Sequence, residues 1–387
     1  MDQRTIQILF ALLRSAICGT RLTPEERGGY SPDRLEDLLK ISAKHDVVHL
    51  LVVGLKQNDL MPKEHSDLEK CILKAAYRYE KMQCEFERLC AALEKAHIPY
   101  LPLKGAVIRK YYPEAWMRTS CDIDILVRRE DLETAISCLT EHCGYVEKER
   151  ATHDVSLHSS WGIHVELHFD LVEEGRAQNA IDVLRSVWDN AKLCAGSTCQ
   201  YGMPDAYFYF YHIAHMAKHF ENGGCGIRPF LDLWILDRIE GADASARRNL
   251  LSQGGLLRFL NASQMLSKVW FDGQVPDEQT LQMQDFLLRG GVYGSTDNRV
   301  AIQQKKKGGR FGYLVSRIFV PYAKLKRYYP VLEKHRWLTP MMQVRRWFML
   351  LRPEVAGMAK REMTVNRNLE KTKSDEMNAF LDHIGLA

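Results

Sequence analysis

The chain has 387 residues, 46% hydrophobic and 26% charged, with a formal net charge of +4. That balance fits a folded globular protein of two or three packed units and excludes a disordered one. Ten cysteines lie scattered without a disulfide-like framework, and no stretch approaches the ~20 apolar residues of a membrane span, so reduced thiols and a cytoplasmic protein are expected.

Residues 1–60 read as helices, broken at Gly28-Gly29 and restarted at Ser31-Pro32. The apolar run 6–13 follows Asp2 and meets Arg14, the pattern of an amphipathic helix rather than a signal peptide. Ser66 and Glu69 fit a capping box, after which Leu68, Ile72, Ala75, Tyr79, Met82, Phe86, Leu89 and Leu93 recur at four-three spacing. This predicts one long helix packed within its own chain in preference to a coiled-coil dimer. A short strand at 100–103 leads to Lys104-Gly105 and a helix over 106–112, stopped by Pro113.

Residues 121–127 read as a strand with Asp122 and Asp124 on one face and Ile123, Ile125 and Val127 on the other. Adjacent carboxylates repel unless a cation lies between them, and hard cations such as Mg²⁺ take carboxylate oxygens alongside substrate phosphates. A helix follows over 130–143, closed by Gly144, then strands at 145–150, 153–159 and 163–171, the last two forming a hairpin. In the last, Val165, Leu167 and Phe169 form the core face, and His164, Glu166, His168 and Asp170 the open one. A strand placed beside 121–127 brings Glu166 to Asp122 and Asp124, with Asp170 as the alternative third acid. A helix over 177–190 and an edge strand within 192–203 complete this region.

From Pro204 the period is helical. Residues 206–220 carry His212, His215 and His219, a glycine turn spans 222–226, and Arg228-Pro229 opens a helix bearing Asp232. The three imidazoles share one face and read as packing or as phosphate contacts, with zinc the third reading. Helices continue over 244–292. Between Lys305 and Arg361 fifteen Lys or Arg face two acids, leaving +13 there and −9 elsewhere. Aromatic residues are interleaved with these cations, and prolines at 321, 330, 340 and 353 cut the region into short segments. The residues after Glu362 read as a polar, mobile tail.

Leu103-Lys104-Gly105, then Arg118 leading into Asp122-Ile123-Asp124-Ile125-Leu126-Val127, then Glu166-Leu167-His168 resemble a bacterial group within the DNA polymerase beta superfamily of nucleotidyltransferases. The resemblance covers residues 97–171 and, more loosely, continues to about 240. It departs from the superfamily at the usual Gly-Ser loop, which is Lys104-Gly105 here, so no Ser phosphate contact carries over. It implies an α+β protein: an N-terminal helical region (1–96), a polymerase-beta-like nucleotidyltransferase core with a small mixed sheet (97–203), a helical domain (204–300) and a basic aromatic C-terminal region (301–387).

The implied reaction moves a nucleoside monophosphate from an NTP to an unidentified acceptor and releases pyrophosphate. Asp122, Asp124 and Glu166 are the catalytic, metal-holding acids for two Mg²⁺ ions. Lys104, Gly105, Arg118, Ser120, His215, His219 and Arg228 are the nucleotide- or phosphate-binding set, with a structural tie to an acid as the other reading of Arg118. The alternative function is a catalytically silent module, antitoxin-like or nucleic-acid-binding. The basic region is expected to turn toward an anionic acceptor or the triphosphate. Its prolines, which prevent one continuous amphipathic helix, make a membrane surface the poorer partner.

Overall fold

The protein is described as a computed structural model over residues 2–62, 67–172, 178–329, 331–350 and 353–386. It forms two compact units, one of residues 1–216 with 226–284 and the other of residues 217–225 with 285–387. The sequence regions 1–96 and 97–203 both fall in the first.

The N-terminal layer of that unit comprises α1 (Gln3–Cys18), α2 (Leu35–Lys44) and α3 (Val48–Gln57). The Asp2 carboxylate caps α1 by accepting from the Arg4 amide, and Gly19 ends the helix in the left-handed region. α1 and α3 approach closely at Gly54, where a Cβ would lie 2.3 Å from the Leu12 carbonyl oxygen. Phe10 of α1 stacks on Trp270 of the helix Leu257–Phe271 at 4.2 Å.

The long predicted helix is α4 (Lys70–Lys95). Of the expected capping box, Ser66 lies outside the described residues, and Glu69 at the N-cap makes no side-chain cap hydrogen bond. The apolar seam turns inward within this chain: Met82, Leu89 and Leu93 are buried in one core with the strands.

That core belongs to a five-stranded mixed sheet in the order β1-β2-β5-β4-β3. Its members are β1 (Tyr100–Pro102), β2 (Asp122–Val127), β3 (Val146–Arg150), β4 (Asp154–His158) and β5 (His164–His168). β2 and β5 run parallel, while β4 pairs antiparallel with β5 as the hairpin pattern predicts. Ile123, Ile125, Val127, Val155, Leu157, Val165 and Leu167 pack with α4 and with α6 (Leu132–Cys143), which Gly144 closes. Between β1 and β2 lies α5 (Lys104–Ile108), followed by a tighter helical turn over Arg109–Tyr111. The helix thus starts two residues earlier than the pattern suggests and tightens before Pro113.

Three local expectations are corrected. The β5 strand stops at His168, because the chain bends so that the Phe169 and Asp170 amides both donate to the His153 carbonyl. The expected edge strand in 192–203 is reduced to a two-stranded ribbon of β6 (Lys192–Leu193) and β7 (Tyr201–Gly202), which meets the sheet edge at a single bridge where the Tyr100 amide donates to the Cys199 carbonyl at 2.9 Å. Gly196, at φ 81°, reverses the chain between its arms. The residues after Glu362 are largely helical, and Lys371–His383 buries Phe380 and Leu381. The polar pattern there conceals an apolar face.

α7 (Asp205–Glu221) and α8 (Arg228–Leu236) flank the predicted glycine turn. In the second unit that turn meets Gly294, where a Cβ would lie 2.5 Å from the Gly223 carbonyl. Among the described residues of the same unit, Val300, Ala301, Tyr313 and Leu369 form one small core and Leu325, Leu332 and Met342 another.

Candidate active site

The site is built on the open face of the sheet. Parallel pairing of β2 with β5 sets Asp122 opposite His164 and Asp124 opposite Glu166. Residues alternate in direction along a strand, so these four share one side while their neighbours fill the core. Ligand-type atoms of Asp122, His164 and Glu166 lie within 4.8 Å of one another, as do those of Asp124, Glu166 and His168. The three predicted acids therefore converge.

Lys104 enters the same cluster from the start of α5. Its ammonium is 2.6 Å from Asp124 Oδ1 and 3.8 Å from Glu166 Oε2. The Lys104 backbone has φ 42°, a left-handed conformation that costs a non-glycine residue about 1–3 kcal/mol. The Leu103 amide, donating to the Asp124 carbonyl at 3.0 Å, fixes the chain just before it. His168 Nε2 donates to Asp124 Oδ1 at 2.9 Å and lies 3.4 Å from Glu166 Oε2.

The charges respond to this crowding in opposite directions. Burial, reinforced by the Asp124 charge, pushes Asp122 up to about 6. Burial would raise Asp124 as well, but the Lys104 ammonium and the His168 hydrogen bond hold it far below the usual carboxylate range. Lys104 is raised well above its ordinary value, since the surrounding acids outweigh its desolvation. Burial opposes the charged form of His168, yet its hydrogen bonds to Asp124 and Glu166 raise it.

Around the cluster, arginines lock the loop that leads into β2. Arg118 donates to both oxygens of buried Asp232 on α8 at 2.8–3.0 Å, and Tyr112 donates to Asp232 Oδ1 at 2.6 Å. Arg228 binds the Thr119 carbonyl at 2.6 Å and Asp46 at 3.1 Å. Arg78 donates to the Ser120 carbonyl at 2.7 Å, and Arg109 to the Ser120 hydroxyl at 3.1 Å. Arg118 thus takes the structural tie that its sequence context also allowed, and Arg228 and Ser120 are engaged in the same scaffold.

The other sequence candidates fall at different distances from the acids. Gly105 is buried beside Lys104 in the first turn of α5. Asp170, past the end of β5, pairs with Arg129 at 3.3 Å and, among the described residues, joins none of the carboxylate clusters. His212 donates to the Pro229 carbonyl at 3.0 Å, a packing role. His215 packs beside Tyr211 with ring centres 6.2 Å apart. His219 lies in the second compact unit.

Compared with known families, residues 31–272 match a model described as an uncharacterised nucleotidyltransferase. The chain belongs to this nucleotidyltransferase family. The match takes in the whole sheet, all three acids, Lys104 and Asp232. No curated protein and no solved structure matches the chain.

For a nucleotidyltransferase, the residues that sequence reasoning left out of the site are His164 and His168. The two histidines were legible as same-face neighbours of Glu166 in the alternating strand.

Proposed function

We propose that this family member transfers a nucleoside monophosphate from an NTP to an acceptor hydroxyl on a polymerase-beta-like core, with Asp122, Asp124 and Glu166 holding Mg²⁺. The observation that carries the reading is the parallel register placing Glu166 beside Asp124 on the face shared with Asp122. The single Lys104 ammonium offsets only part of the charge of three carboxylates gathered there. Their oxygens are the donors a hard divalent ion takes, so the residues present fit the group. When bound, such ions neutralise triphosphate charge and lower the pKa of a coordinated hydroxyl.

The chain's own residues supply the rest. The acceptor oxygen forms a bond to the α-phosphorus, the bond from that phosphorus to the bridging oxygen breaks, and pyrophosphate leaves. Glu166, half-buried at the edge of the cluster, helps take the acceptor proton. Lys104 and the Gly105 amide steady the departing phosphates. Arg118, Arg228 and Ser120 fix the loop before β2, and so hold the carboxylates in register. His215, on α7 beside Tyr211, is the nucleotide-binding candidate from the helical part of the unit.

The test is transfer of label from an α-labelled NTP to material in a cell extract. Asp122→Asn and Asp124→Asn are each expected to lower transfer by at least about a thousandfold while leaving the fold intact. Near wild-type transfer in both variants sinks the assignment.

One observation favours a second reading. The Lys104 ammonium stands among the carboxylates at salt-bridge distance. A protein that kept it there permanently would be a silent binding module. Absence of Mg²⁺·NTP binding by the wild-type protein selects that reading.

A further inference from the structure

In the second unit, the turn Arg336–Leu338 and the helix Thr339–Leu350 carry Trp337, Met341, Val344 and Phe348 at four-three-four spacing. That spacing puts them on one side of the helix. All four face solvent, with Trp337 76%, Met341 60% and Phe348 68% exposed. The opposite side is committed inward: Met342 lies in the small core with Leu325 and Leu332, and the Gln343 side chain donates to the Val320 carbonyl. The helix is therefore amphipathic with its apolar stripe turned outward, the reverse of a helix serving only its own core.

A second helix, Gly309–Ile318, repeats the pattern. Phe311, Val315 and Ile318 are exposed at four-three spacing, with Phe319 just beyond. The two helices are joined where Arg346 donates to the Arg317 and Ile318 carbonyls and Trp347 donates to the Ile318 carbonyl at 2.8 Å. Phe319 packs edge-on against Trp347 at 5.6 Å. Exposed cations lie next to both helices in sequence: Lys305, Lys306, Lys307 and Arg310 at the start of one, Lys334, Arg336 and Arg345 at the start and middle of the other.

Isolated exposed apolar residues are ordinary, but rows of them on adjoining helices, in a segment rich in exposed cations, mark an interaction surface. The chemistry narrows the partner. A second copy of the chain would bring two basic faces together. Nucleic acid would use the cations and could stack on Trp337 or Phe348, but it has no use for Met341, Val344, Val315 and Ile318. An anionic bilayer surface uses every component: headgroups pair with Lys and Arg, while aliphatic and aromatic side chains enter the boundary with the acyl chains. The prolines that rule out one continuous amphipathic helix leave two short ones, each with a complete stripe. We propose that these two stripes dock the protein on anionic lipid membranes, peripherally and without spanning them.

The test is co-sedimentation of the full chain with phosphatidylcholine vesicles, with and without phosphatidylglycerol, alongside binding of a single-stranded RNA oligonucleotide. The wild-type protein is expected to bind the phosphatidylglycerol vesicles and to bind the neutral ones at least about tenfold more weakly. Met341→Ser with Phe348→Ser, both at exposed positions, should weaken vesicle binding a further tenfold or so while leaving the circular dichroism spectrum and melting temperature unchanged. Tryptophan emission should shift to the blue on vesicle addition, and less so in Trp337→Leu. Failure of the wild-type protein to bind the anionic vesicles overturns the proposal. So does vesicle binding that the double variant leaves intact, or RNA binding in its place.

Discussion

At Lys104 a strained backbone and an ion pair meet. The side chain delivers a positive charge to the place where a divalent cation would draw the carboxylates together, so ammonium and metal compete for Asp124. Lys104→Met, similar in reach but uncharged, should bind Mn²⁺ at least about fivefold more tightly than wild type without nucleotide, yet bind NTP more weakly with the metal present. Titration followed by Mn²⁺ paramagnetic resonance reads the first effect, and unchanged metal affinity would show that Lys104 does not contest the seat. Asp122 gives a pH signature. Its folded value is raised from an ordinary 3.8 to about 6, so the folded state holds an extra proton between those values. Its contribution to stability is full below about pH 4 and is lost as pH rises through about 6. A cation must displace that proton, so stabilisation by Mg²⁺ should grow between about pH 5 and about pH 7. Melting curves in chelator and in Mg²⁺ across that range check it. An equal Mg²⁺ effect at both ends, or an Asp122→Asn variant with the same pH profile, contradicts the assignment.

Among the elements, the loop from Arg118 to Cys121 decides whether β2 presents its acids correctly. Arg118 reaches across to α8, where Asp232 also accepts from Tyr112, so a single buried carboxylate ties the loop, the turn after α5 and the helical part of the unit. Asp232→Ala strands a guanidinium largely out of water and should cost about 3–5 kcal/mol in denaturant unfolding. Asp232→Asn, which keeps an acceptor, should lose less. Equal, small losses in both would mean that solvent readily replaces Asp232. The elements themselves were largely legible. Alternation in 163–168 exposed β5 and its open face, and the four-three seam exposed α4, because period and burial follow directly from side-chain order. The end of β5 was hidden because Phe169 and Asp170 continue the alternation while their amides turn to His153. The destination of Arg118 was open for a different reason: a buried ion pair between residues 114 apart has no signal in local sequence.

Across the whole molecule, charge and compactness divide along the same line. Residues 217–225 with 285–387 carry a formal +11, and the remainder carries −7. The smaller unit therefore bears the denser charge of one sign, and its repulsion opposes its own compact state more strongly. Screening should relieve that repulsion: the Debye length falls from ~30 Å at 0.01 M salt to ~8 Å at 0.15 M. Calorimetry of the full chain is expected to resolve two transitions, of which the one belonging to the basic unit rises further in temperature as salt is added. Assignment comes from Phe380, which is buried and packs against Phe286 with ring centres 5.5 Å apart within that unit. Phe380→Ala removes about 3–5 kcal/mol of packing. For a unit of about a hundred residues that is a drop of at least ~12 °C, confined to one transition. The transition lowered by Phe380→Ala must be the salt-responsive one. A single transition that moves as a whole, or a salt response in the transition that Phe380→Ala leaves alone, would show that charge does not set the stability of this unit.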